Sequence, residues 1–302
     1  MTVKATDSIQ TDAPIETWFG VGGRADRLAR PRTLEDVVEI RRAGEPLRIL
    51  GDGANLLVAD DGIDGIVVSL DALDRVEWPS SVEPGRPVLV LAGAGCNLPP
   101  LLLECVPRGL CGIEGLGGIP ASLGGAACMN AGGAFGALAD SVAWVEGIDQ
   151  HGDLQRITRS EIPFAYRTSG LGHLVITEVA LALEPVAPNR RLALRERLKE
   201  VMAYKKSTQP LAARSAGCVF RNPTVDGERI SAGRLIDEAG CKGLNRGGAR
   251  VSDHHANFIV TGLGCRAAHI IELIGEVRDI VLRRTGIELE REVVIWSRSS
   301  SS

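Results

Sequence analysis

Twice along this chain an apolar, strand-like run ends in the same glycine turn, and that repetition limits the possible folds more than any other feature. In "LRILGDGANLLVADDGIDGIVV" (47–68) the run Leu47–Leu50 enters Gly51-Asp52-Gly53-Ala54-Asn55-Leu56, and in "VLVLAGAGCNLPPLL" (88–102) a second run again enters G-x-G-x-N-L. A strand feeding a glycine turn is a common way to bring backbone N–H groups to a diphosphate, yet the third glycine of the dinucleotide fingerprint is missing. A further stretch, "GLCGIEGLGGIPASLGGAACMNAGGAFG" (109–136), concentrates the 36 glycines without a period, which argues against collagen-like and linker roles. Something approaches the main chain closely there, and a packed small-residue crossing and a bound ligand are equally good reasons.

The segments around these turns read as mixed helix and strand. "TLEDVVEIRRAGEP" predicts a helix from a capping box at Thr33 and Asp36 to a stop at Gly44. Strands are expected at Leu47–Leu50, Ile66–Leu70 and Val88–Leu91, a helix at "NLPPLLLEC", a hairpin over "SVAWVEGIDQHGDLQRIT" and a long strand over "LVITEVALALEP". The 109–136 stretch is too rich in glycine and alanine to be a core element in its own right. After a link near Pro188, Leu194, Leu198, Val201 and Met202 make one helical stripe. Beyond it come a helix between Ser231 and Gly240, a strand over "ANFIVT", and a long helix burying Ile270, Ile271, Ile274, Val277 and Val281. A final strand covers "IELEREVVIW". The expected division is an extension over 1–16, a first domain over 17–188 split near 75–85, a second over 189–298, and a frayed serine tail over 299–302.

Composition narrows the function classes. A net charge of −4 with scattered basic residues and 4% aromatics gives no basic face for nucleic acid. The first residues carry no apolar run behind their lysine, and no segment approaches a membrane span, so a cytoplasmic protein without a membrane partner is expected. Seven cysteines, an odd number without C-x-x-C, predict reduced thiols rather than disulfides. Five histidines without H-E-x-x-H or a cysteine at ligand spacing predict no metal.

Eight stretches occur in order: "TWFGVGGRAD", "GDGANLLVADDGIDGIVV", "IEGLGGIPASLGGAACMNAGGAFG", "YRTSG", "SAGCVFRNP", "AGRLIDEAGCKG", "SDHHANFIV" and "LEREVVIW". In this order and at these separations the chain, from Thr17 to Trp296, resembles the UDP-N-acetylenolpyruvoylglucosamine reductase family, flavin enzymes that make UDP-N-acetylmuramate for peptidoglycan. The resemblance implies an α+β chain with a two-part FAD-binding domain of the PCMH/vanillyl-alcohol-oxidase type and a following α+β substrate-binding domain. It also implies a monomer acting on a UDP-sugar. NADPH would reduce FAD and leave, after which UDP-N-acetyl-3-O-(1-carboxyvinyl)glucosamine would take a hydride at C3 and a proton at C2. The short connection from Arg167 to Val175 resembles the branch without an extra tyrosine-bearing loop.

The same resemblance distributes roles. Backbone N–H groups of Gly51, Asp52, Gly53, Ala54, Asn55 and Leu56 would meet the FAD diphosphate, with amide donors added by the Asn55 side chain. Ile119, Pro120, Ser122, Gly124, Gly125 and Asn130 would line the flavin, although Ala121 stands where the family usually has glycine and N-A-G-A is lengthened to Asn130-Ala131-Gly132-Gly133-Ala134. Neither turn holds a histidine, and Cys96 and Cys128 read as packing residues, so the FAD is expected to be non-covalent. Arg167 would hold the substrate carboxylate; without the motif it reads as one solvated charge among 34 Lys and Arg residues.

Strand alternation leaves Glu288, Glu290 and Glu292 on one face, and only the match to L-x-x-E-V selects Glu292 as the glutamate facing the enol carboxyl group. Cys218 occupies the place of the family's proton-donating serine. A thiol, with an ordinary pKa of about 8.5, is the more acidic donor, against the commoner fate of a lone cysteine as an inert packing residue. Lys206, Asn222 and His255 match substrate-binding or relay positions through less specific motifs. The rival readings are an FAD oxidase of the same architecture acting on an alcohol or hydroxy acid, and a catalytically silent sugar-nucleotide binding protein.

Overall fold

Helices begin and end where side chains supply what the backbone lacks. In the computed structural model, which describes residues 9–298, helix α1 (Leu34–Arg42) starts on the Thr33–Asp36 capping box. Residues 1–8 of the expected extension and the serine tail 299–302 lie outside the described residues. Helix α2 (Leu98–Arg108) has proline in its first turn and ends on Gly109 in the left-handed region, φ 72°. Helices α3 (Leu123–Cys128) and α5 (Ala232–Glu238) start on the hydroxyls of Ser122 and Ser231. The long helices are α4 (Arg191–Thr208) and α6 (Ala267–Thr285). Two orphan N–H groups at the start of α6, from Ala267 and Ala268, donate to the Asp60 carboxylate at 2.9 Å.

Packing divides the chain into two units interleaved in sequence. Among the described residues, the first takes in Arg27–Asp52 and Gly65–Tyr204 with 9–11; the second takes in Asp12–Asp26, Gly53–Asp64 and 205–298. The first unit is built on antiparallel strands in the order Leu154–Thr158, Val142–Ile148, Val175–Pro185, Val88–Gly93, Val76–Glu77. Strand Leu47–Leu50 runs parallel to Ile63–Ser69, pairing Leu47 with Ile66 and Leu50 with Ser69. Its core joins Val90, Leu98, Leu123, Val145, Val179 and Leu181, all fully buried. Each such side chain contributes roughly 1.5–3 kcal/mol.

In the second unit α5 and α6 share a core with Phe19, Leu57 and Phe220. A small antiparallel sheet joins Asn245–Arg246, Ala249–Val251 and Ile259–Thr261. A separate parallel pair joins Leu56–Val58 to Val294–Trp296.

Four expectations are corrected. The glycine- and alanine-rich stretch does contribute a core element: α3 is buried along Leu123, Gly124, Ala126 and Ala127, because its small residues let the helix backbone come close to the sheet. A Cβ on Gly124 would lie 2.8 Å from that of Ala94. Met202 is 43% exposed and Ile271 38% exposed, so each falls just outside its buried helical stripe. The last strand is only Val294–Trp296; before it the chain makes an isolated bridge between Arg291 and Phe220. "ANFIVT" is strand only from Ile259.

Candidate functional site

The two glycine turns use their backbone donors differently. In the second, which belongs wholly to the first unit, the N–H groups of Gly93, Ala94, Gly95 and Cys96 donate to Arg75, Thr177, Leu73 and Gly93 carbonyls at 2.9–3.0 Å. A Cβ on Gly93 would lie 2.1 Å from Leu73 O, and one on Gly95 2.0 Å from Leu70 O. That turn is glycine because another stretch of backbone lies against it. The Cys96 thiol donates to Asp74 O at 3.0 Å, and burial together with the nearby Asp74 charge pushes its pKa up to about 11. Burial also raises Cys128. Neither is the low-pKa thiol a flavin tether calls for, and none of the seven cysteines forms a disulfide.

The wall formed by 119–130 contributes closeness more than donors. The N–H groups of Ile119, Gly124 and Asn130 donate to Leu116, Ala94 and Ala127 carbonyls, and that of Gly125 donates to Ser122 Oγ at 3.3 Å. Pro120 has no N–H. A Cβ on Gly51 would lie 2.6 Å from Ser122 Oγ, so Gly51 packs against the hydroxyl that caps α3. Ala121 adopts no positive φ, and its carbonyl accepts from Leu98 N–H at 2.9 Å, so the glycine-to-alanine departure is accommodated without strain.

Beyond α3 lies the arginine turn. Ala165 and Thr168 bond each other's backbone, enclosing Tyr166 and Arg167, and Arg167 has φ +59°, a conformation that favours glycine at this place in a turn. Arg167 Nη1 donates to Gly132 O at 2.9 Å, and the guanidinium carbon lies 5.2 Å from the Tyr166 ring centroid. The fully buried Ser169 donates from Oγ to Cys128 O at 2.8 Å. Asn130, itself at φ +45°, donates from Nδ2 to Ala165 O at 2.9 Å and accepts at Oδ1 from Ala139 N–H at 3.1 Å.

In the second unit the remaining part of the first turn meets two of the expected catalytic segments. Asn55 Nδ2 donates to Glu292 O at 3.1 Å, and Val294 N–H donates to Asn55 O at 3.0 Å. One amide donor expected at the diphosphate is therefore engaged within the chain. Glu292 N–H donates to Val219 O at 2.8 Å, next to the half-buried Cys218, and a Cβ on Gly217 would lie 3.7 Å from Ala54 O. Asn55, Cys218 and Glu292 thus belong to one set of adjoining backbones.

Of the three second-rank positions, Asn222 and His255 both border the start of α5, where a Cβ on Gly233 would lie 2.9 Å from His255 Cε1. Asn222 Oδ1 accepts from Ala232 N–H at the start of α5 at 2.9 Å. His255 Nδ1 accepts from Asn257 N–H at 3.2 Å, and burial lowers its pKa, which favours the neutral ring. Lys206 is exposed, whereas its neighbour Lys205 is buried. Sequence reasoning passed over Asn257, 2% exposed, which holds Phe220 N–H at 2.9 Å and Phe220 O at 2.8 Å and so fixes the segment after Cys218. Amides bonded across 37 residues leave no local signal.

The first turn fits an anionic diphosphate group. Among the described residues, the N–H groups of Gly53, Ala54 and Asn55 donate to no protein acceptor, and a glycine turn with open donors is a ready anion cradle.

Comparison with known proteins places the chain in a family. Residues 25–158 match the family described as FAD binding domain, and residues 209–296 match the family described as UDP-N-acetylenolpyruvoylglucosamine reductase, C-terminal domain. The reductase of that name from Moorella thermoacetica is 43% identical over 95% of this chain and 93% of its own length. The one from Heliobacterium modesticaldum is 42% identical over 92% of this chain and 86% of its own. The crystal structure of the Thermus caldophilus enzyme superposes with a TM-score of 0.79 at 35% identity, covering 97% of each chain.

Proposed function

Because this chain belongs to the UDP-N-acetylenolpyruvoylglucosamine reductase family, we propose that it is the NADPH-dependent FAD enzyme that converts UDP-N-acetyl-3-O-(1-carboxyvinyl)glucosamine to UDP-N-acetylmuramate. The observation that carries the reading is the tie between cofactor turn and catalytic segments in the second unit: Asn55 bonded to Glu292 O, and Glu292 N–H bonded to Val219 O beside Cys218. FAD, when bound, supplies the two-electron relay between NADPH and the enolpyruvyl group. The N–H groups of Gly53, Ala54 and Asn55 would hold its diphosphate, and the family resemblance would give Gly51, Ser122 and Gly125 of the first unit cofactor contacts as well.

On the substrate, Arg167 holds the carboxylate and balances the charge that develops on it. Cys218 gives its proton to C2, leaving a thiolate that solvent reprotonates, and Glu292 faces the enol carboxyl group. Lys206, Asn222 and His255 remain second-rank substrate contacts. The division at residue 188 into FAD-binding and substrate-binding domains is supported by the family matches, which fall on either side of it. The same reading puts the enzyme in the cytoplasm as a monomer, where nucleotide sugars and NADPH are made.

Stopped-flow absorbance tests this by separating the two half-reactions. Arg167→Ala and Cys218→Ala should be reduced by NADPH at near wild-type rates. Both should reoxidise with substrate roughly 100-fold more slowly, the range that charge stabilisation and general acid catalysis supply. Equal loss in both halves, or full reoxidation by Cys218→Ala, would remove these residues from their roles.

A further inference from the structure

We propose that Asn130 is a positioning residue for Arg167: its side chain fixes the turn from which the arginine reaches the substrate, rather than contacting the cofactor. Both side-chain atoms of Asn130 are engaged in the chain, Nδ2 with Ala165 O at 2.9 Å and Oδ1 with Ala139 N–H at 3.1 Å. Ala165 is the first residue of the four-residue turn that presents Arg167, and its own N–H donates to Thr168 O at 2.9 Å. The asparagine therefore holds the turn by its entry residue.

Strain gives this bond its purpose. Among the described residues only four other than glycine have positive φ, Asp12, Asn130, Arg167 and Asp226, and the bond from Asn130 to Ala165 couples two of them. A long side chain in the left-handed region persists only where surrounding contacts over-determine it. Here the contacts are Asn130 on the entry residue, Ser169 Oγ on Cys128 O, and Arg167 Nη1 on Gly132 O. Gly132 lies two residues after Asn130, so one short segment holds both the backbone and the guanidinium of Arg167. A neutral amide suits the task, since it gives one proton to a carbonyl and accepts one from an N–H at a site 9% exposed.

The proposal rests on Arg167 acting on the substrate, and a double-mutant cycle separates its failure from failure of that reading. Substrate-driven reoxidation is measured in wild type, Asn130→Gly, Arg167→Ala and the double variant. Asn130→Gly tolerates the positive φ while deleting both bonds. It should slow reoxidation by about 10- to 100-fold, the scale of a misplaced catalytic group. In the Arg167→Ala background the same change should alter the rate less than about twofold, because residues acting through one another are not additive. Asn130→Asp, which keeps the acceptor for Ala139 and loses the donor to Ala165, should match Asn130→Gly and serves if that variant does not fold.

Amide exchange in the cofactor-free protein is the second readout, and in either variant Thr168 N–H should lose protection. Full additivity on both backgrounds, wild-type reoxidation in the Asn130 variants, or unchanged exchange at Thr168 overturns the proposal. Wild-type reoxidation in Arg167→Ala overturns the role of Arg167 itself, and this inference with it.

Discussion

The turns at Gly51 and Gly93 share the pattern G-x-G-x-N-L, follow a strand in the same way, and do opposite things. At Gly93 four successive N–H groups end on protein carbonyls, and both glycines lie against backbone at distances no Cβ could tolerate. At the first turn Gly53 is just as tightly placed, 2.4 Å from Glu16 O to its would-be Cβ, yet the backbone N–H groups of Gly53, Ala54 and Asn55 donate to no acceptor among the described residues. Glycine in a strand-to-turn junction thus reports that something is close, and not what. Accounting for the N–H groups distinguishes a turn closed by its own chain from one open to an anion.

The largest expected effect breaks the closed turn. Gly95→Ala drives a Cβ to 2.0 Å from a main-chain carbonyl that cannot rotate away. It should cost roughly 3 kcal/mol or more, some 6–12 °C in Tm for a unit of this size, and equally with and without FAD in a thermal melt. Gly51→Ala should be milder, because the obstacle is a rotatable hydroxyl, Ser122 Oγ, whose displacement removes the cap of α3 for about 1 kcal/mol. Its FAD affinity, read by flavin fluorescence, should weaken by about tenfold, or 1.4 kcal/mol. Adding Ser122→Ala should not worsen the fold further, since the hydroxyl is already displaced. If Gly51→Ala unfolds like Gly95→Ala, or Gly95→Ala folds and merely loses FAD, the two turns are not different in kind.

The smallest effect concerns His255 of the second unit. Burial lowers the His255 pKa below its ordinary 6.5, so the unfolded chain takes up the proton first as pH falls. The stability that neutral His255 contributes is complete above 6.5 and is lost as pH drops through the folded value. Tm should therefore fall from about pH 7.5 to about pH 5.5, and His255→Gln should flatten that slope. An unchanged slope would show that the ring accepts its proton as easily folded as unfolded.

Local chemistry was legible in the sequence wherever it is complete within a few residues. The Thr33 box, the Ser231 cap and the glycine stop at 44 are each decided by neighbours three or four positions away. Cys218 was singled out only through the resemblance to the family motif around it. What escaped notice depends on partners far along the chain. Helix α3 looked like loop because glycine and alanine carry little hydrophobic signal, and only the facing Ala94 shows why small residues are needed. The bond from Asn130 to Ala165, 35 residues downstream, likewise leaves no mark in the sequence near Asn130. The pairing of Leu56–Val58 with Val294–Trp296 leaves no trace in either segment alone.

That last pairing sets a schedule for biosynthesis. Asn55 gains its bonds to Glu292 and Val294 across 237 residues or more of chain. At about 5–20 residues per second, roughly 12–47 s elapse between emergence of the turn from the ribosome and arrival of the strand that completes it. Throughout that interval the nascent chain carries a finished glycine motif with no finished anion cradle. If the first turn holds the FAD diphosphate as proposed, stable capture of flavin waits for the far end of translation, and a chain cut short before residue 294 should bind FAD weakly.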